Sequence, residues 1–140
     1  MSRSMVGALG ALLAAPILVA AGPAAPDGVY VCTIARGVEC DAEQSCGPPA
    51  LEVPAPTFLR VDLDARRVTL LAPEKRRGET TPIEYVSRDG GRWILGGVQD
   101  ARPWSMIFPE EGGAMTLTAN LGDAGWIVAG QCIPESSLSP

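Results

Sequence analysis

Glycine and proline, 16 and 13 of 140 residues, decide most of what this chain can fold into. Together with aspartate they interrupt the sequence at short intervals, and helical periodicity between the interruptions is almost absent. What recurs is the short apolar or alternating run of a β-strand. A glycine and proline content this high approaches that of disordered chains. Here, however, these residues fall between the apolar runs, where turns need them.

Residues 29–35 make the first run, and a proline-rich loop follows over 47–56. Residues 58–63 alternate, with Leu59, Val61 and Leu63 on one face and Arg60 and Asp62 on the other. A short turn at 64–66 leads into 67–71, with Val68 and Leu70 inward, which predicts a hairpin. Residues 82–87 and 92–95 flank Asp89-Gly90-Gly91, a strong turn signal because glycine accepts positive φ. Residues 104–108 and 115–119 flank a second turn, and 126–132 form the last run. About eight strands in near-sequential hairpins predict an all-β fold, a small antiparallel up-and-down barrel that closes to remove its edges. A two-sheet sandwich is the alternative.

The first 21 residues read as a secretory signal peptide. Arg3 supplies the charge, an uncharged run follows from Met5, and Val19 and Ala21 suit cleavage after Ala21. No cysteine stands just after that point to be acylated, so the product is expected to be soluble and periplasmic or secreted. Residues 22–27 form a short linker, 28–134 a single β domain and 135–140 a flexible, Ser-rich tail. Cleavage removes Arg3, leaving 119 residues with a net charge of −6.

All four cysteines, Cys32, Cys40, Cys46 and Cys132, lie in the exported part. An even number in such a chain predicts two disulfides, with three possible connectivities. Cys32–Cys132 with Cys40–Cys46 is favoured, because the first pair would join the first and last strands of a closed barrel. A crossed pairing stays open on sequence alone. The spacings, without histidine, fit no zinc site.

The chain contains no histidine, which excludes a Ser-His-Asp triad, a Cys-His pair and a His-ligated metal. A formal charge of −5 argues against nucleic acid as partner. Asp62, Asp64, Glu110 and Glu111 read as turn residues rather than as a catalytic pair. Lys75, Arg76 and Arg77 form one basic cluster, with Glu74 and Glu79 beside it. Trp93, Trp104, Trp126, Tyr30 and Tyr85 could line a small-molecule cavity, although aromatic residues on strands of a small domain more often build core. The expectation is therefore a non-enzymatic module without metal or cofactor, binding or inhibiting a periplasmic or extracellular protein. Its possible surface comprises Lys75, Arg76, Arg77, Trp93 and Trp104. The alternative is a carrier of a small apolar ligand inside the barrel.

Val29-Tyr-Val-Cys32, Trp104-Ser-Met-Ile-Phe108 and the end Gly125-Trp-Ile-Val-Ala-Gly-Gln-Cys132 resemble small exported alphaproteobacterial proteins of unknown function. That resemblance implies no activity. Tyr30-Val-Cys32 and the Tyr85, Trp93, Gly96 set are similar, more weakly, to periplasmic inhibitors of c-type lysozyme, which are disulfide-closed β-barrels. Pro82-Ile83 and Ile94-Leu95 stand where that family has a Ser-Gly pair and a lysine, so no inhibitory site carries over.

Overall fold

The computed structural model describes residues 28–43, 45–49, 57–120 and 122–138. The expected leader (1–21), the linker (22–27) and most of the proline-rich loop (50–56) lie outside the described residues. Ten strands follow in chain order: β1 (Val29–Asp41), β2 (Cys46–Gly47), β3 (Thr57–Asp62), β4 (Arg67–Ala72), β5 (Thr80–Pro82), β6 (Tyr85–Asp89), β7 (Arg92–Gln99), β8 (Arg102–Pro109), β9 (Gly113–Asn120) and β10 (Ala124–Pro134). All pair antiparallel in one sheet, ordered β5-β4-β3-β1-β10-β9-β8-β7-β6, with β2 a spur on β1.

Both ends of that sheet belong to one stretch of chain, residues 80–89. Its first half pairs with β4 and its second half with β7. At the changeover the Ile83 N–H donates to Arg66 O (3.0 Å) and the Glu84 N–H to Gly96 O (2.9 Å). Across the remaining gap between β5 and β7, Thr81 Oγ1 bonds Gln99 Oε1. The sheet curls back on itself as the expected up-and-down meander, and the run expected at 82–87 is divided between the end of β5 and the start of β6, which pair with different strands. Edge strands that share one segment leave little template for intermolecular pairing.

Strand β1 is longer than the run 29–35 predicts. Its register against β10 slips between Ile34 and Arg36, and the strand continues beyond Gly37 with Val128 opposite that glycine. The bulge absorbs the polar interruption that signalled a strand end. It also forces close approach of the two strands. A Cβ on Gly130 would stand 1.6 Å from Thr33 O, so only glycine fits there.

The favoured disulfides are present. Cys32 and Cys132 are direct cross-strand partners on β1 and β10, both fully buried, and they close a separation of 100 residues. Cys40–Cys46 ties β1 to β2. Such bridges belong to a chain that matures in an oxidising compartment. Among the described residues no helix is long and apolar enough to cross a membrane. Residues 135–138, expected as flexible tail, instead form a 3-10 turn, and Glu135 is held by Arg60 (Nε to Oε1, 2.8 Å).

The core fills one end of the barrel. Leu95, Met106, Leu117 and Val128 form a row across β7, β8, β9 and β10. Beyond it lie Phe108, Met115 and Tyr30, the Tyr30 and Phe108 rings meeting edge to face at 4.9 Å.

Candidate functional site

The other end of the barrel is not filled. One register step from the Leu95 row, the inward residues are Gly97, Trp104, Ala119 and Trp126, again direct partners across β7 to β10. Small and large side chains alternate along this row. Gly97 lets the Trp104 indole lie across β7: a Cβ there would stand 3.1 Å from Trp104 Nε1 and 2.8 Å from Pro82 O. With Ile34, Leu59 and Leu70 on the facing wall, the row encloses a cavity of about 310 Å³. That volume lies at the small end of the range for ligand pockets.

The two indoles are chemically unfinished. Trp104 Nε1 and Trp126 Nε1 are buried and find no acceptor among the described residues. An unmet buried donor costs about 1–3 kcal/mol. At the closed end the third tryptophan shows the satisfied arrangement. Trp93 Nε1 donates to the Tyr30 hydroxyl (2.9 Å), which donates to Glu110 O (2.8 Å). Burial pushes the Tyr30 phenol above its ordinary pKa, the Trp93 bond opposing this only in part. Arg88 pairs with the largely buried Glu110 carboxylate and lies over the Trp93 ring, 5.7 Å from its centre.

The mouth is polar. Gln99 and Arg102 are partners at the start of a two-residue turn whose central residues, Asp100 and Ala101, both have positive φ (50° and 59°). Arg76, on the 3-10 turn Glu74–Arg76, also reaches the cavity wall, but its guanidinium is held by Glu79 (Nη2 to Oε2, 2.6 Å). That bond draws the Glu79 carboxyl below the usual range and raises Arg76.

The residues singled out in the sequence do not form one surface. Lys75 is exposed on the turn, and Arg77 pairs with Glu74 (3.2 Å). Arg76 and Trp104 meet at the cavity. Trp93 sits at the opposite end of β7, in the interior, where Tyr30 and Arg88 occupy it. Of the five aromatic candidates for a cavity wall, Trp104 and Trp126 line it, Trp93 and Tyr30 build the closed end, and Tyr85 is exposed. Gly97 and Ala119, which make the space, were not recognisable as site residues. Their only sequence signal is small size at inward positions of alternating strands.

No family model, curated protein or solved structure matches the chain.

Proposed function

We propose that the protein is an exported, non-catalytic binding module whose occupant is a small, largely apolar molecule held in the open end of the barrel. Of a protein surface and a small molecule, the geometry favours the small molecule. The observation that carries this reading is the cavity itself, one wall of which is formed by two tryptophans spaced by an alanine. Ile34 from β1, Leu59 from β3 and Val68 and Leu70 from β4 line the same space, so an apolar body is desolvated there, with Thr81, Gln99 and Arg102 as the polar part of the lining. Two disulfides and a polar mouth suit a carrier working outside the cytoplasm, in the periplasm or beyond. A mature mass corresponding to residues 22–140 in a periplasmic extract is the check on export.

Titration with the straight-chain alcohols from hexanol to dodecanol, followed by tryptophan emission, tests the reading. Burial of each methylene contributes about 0.8 kcal/mol, so affinity should rise about fourfold per carbon until the cavity is full. A saturable one-to-one response with a length optimum is expected. A response that never saturates, or none at all, would exclude an occupied interior.

A further inference from the structure

We infer that the outer edge of β6 pairs with the same edge of a second copy of this chain, across a two-fold axis at Ser87. This goes beyond the cavity reading and does not rest on it. The little template that the shared segment leaves open is this edge, because β6 pairs with β7 alone among the described residues. The loop of the β6–β7 hairpin is two residues, Gly90 and Gly91, both with positive φ (54° and 73°). Such a loop is flanked by a hydrogen-bonded pair, Asp89 with Arg92. Bonds to β7 therefore fall on Asp89, Ser87 and Tyr85 in alternation. The N–H and C=O groups of Val86 and Arg88 turn away from β7, and they have no hydrogen-bond partner among the described residues. Such a row of unpaired groups is a template for another strand.

The strand is complementary to itself. Val86 packs on the core and Arg88 lies over Trp93, which leaves Tyr85, Ser87 and Asp89 on the outer face. Centred on Ser87, an antiparallel pairing sets Val86 opposite the partner's Arg88, so every free N–H finds an acceptor and every free C=O a donor. Ser87 then meets the partner's Ser87, and Tyr85 meets the partner's Asp89, a phenol opposite a carboxylate. Tyr85 is 56% exposed, and its own neighbour on β7 is Gly96, which offers it no side chain. The adjacent registers fail. An axis at Arg88 sets two guanidinium groups opposite one another. An axis at Val86 sets Arg88 against the partner's Glu84, whose N–H is already given to Gly96 O and whose C=O accepts from Arg66. The strip Tyr85–Asp89 carries one arginine and one aspartate, so it is neutral in a chain of net charge −5. Two copies can meet there without the repulsion that the rest of an acidic surface brings.

The contact is short, about 17 Å of strand, so the dimer belongs with weak, transient interfaces. Sedimentation velocity of the protein at pH 7 and low ionic strength should show reversible dimerisation between about 10 μM and about 1 mM. Ser87→Lys and Ser87→Glu each bring like charges together at the axis, and each should weaken association by about tenfold or more. A one-to-one mixture of the two variants should associate at least as tightly as wild type, because the axis pair is then Lys with Glu. That recovery separates charge at the axis from damage to the fold. A wild type that stays monomeric throughout, a Ser87→Lys variant that dimerises like wild type, or a mixture that does not recover overturns the inference. None of these outcomes bears on the cavity.

Discussion

Trp104 and Trp126 stand on either side of Ala119, each its direct cross-strand partner, so two indoles share one cavity wall with a single methyl group between them. The space exists because the residue between them is small.

Ala119→Leu should fill it. The larger side chain enters a cavity rather than a packed core, so the usual overpacking cost of about 1–3 kcal/mol is avoided. Alcohol binding should fall by about tenfold or more, with Tm unchanged or raised. A Tm lowered by more than about 5 °C would show that Ala119 faces packed atoms.

Tyr30→Phe removes the hydroxyl that accepts from Trp93 and donates to Glu110 O. Two buried groups lose their partner at once, and urea denaturation should show a loss of about 1–3 kcal/mol, with ligand binding intact because the cavity is at the other end. The raised phenol pKa means that folding favours the neutral form. Its contribution is fully present below the unfolded value near 10 and disappears as pH rises through the higher folded value. Wild-type stability should therefore decline in strong alkali, and Tyr30→Phe should lack that component.

The two disulfides should differ in weight. Cys32–Cys132 closes a separation of 100 residues and Cys40–Cys46 one of 6. On the chain-entropy account their removal costs about 4.7 and about 2.4 kcal/mol respectively. Paired Cys→Ala variants compared by urea denaturation should keep this order. The reverse order would mean that the small loop, not the β1–β10 closure, holds the barrel.

Arg60 pairs with Asp62 on its own strand, β3, and links that strand to the C-terminal 3-10 turn through Glu135. The Ala65 N–H and then Arg60 hold the Asp62 carboxyl below its ordinary range, and Arg60 does the same for Glu135. Depressed folded values give stability that is present above the unfolded pKa, near 4, and lost as pH falls through the folded values. Both groups are partly exposed, so the combined effect is about 0.2–1 kcal/mol per pair. The urea midpoint of wild type should fall from about pH 5 downward more steeply than that of an Asp62→Asn, Glu135→Gln variant.

The fold was readable because glycine and proline placed the turns, and alternation at Leu59, Val61 and Leu63 named the inward face. Cys32 and Cys132 on the first and last strands announced the closure. What sequence alone concealed depends on position along the barrel axis. Trp93, Trp104 and Trp126 look alike as strand tryptophans, yet one is bonded at the closed end and two face the cavity. The run expected at 92–95 stops short of Gly97, which is an inward position of β7 that makes room for Trp104. Glu110 reads as a turn residue because its partner, Arg88, lies 22 residues away across a hairpin. The bulge at Ile34 and Arg36 hid the second half of β1, since Arg36 and Gly37 interrupt the apolar pattern where the ladder in fact continues.

The chain has three tryptophans, hence three indole N–H resonances in a ¹H–¹⁵N correlation spectrum. Their assignment and titration with 1-decanol test the site directly. The resonances of Trp104 and Trp126 should shift in parallel and saturate, while that of Trp93, already bonded to Tyr30, stays in place. Three unmoved resonances, or a shift confined to Trp93, would contradict a ligand site in the open end of the barrel.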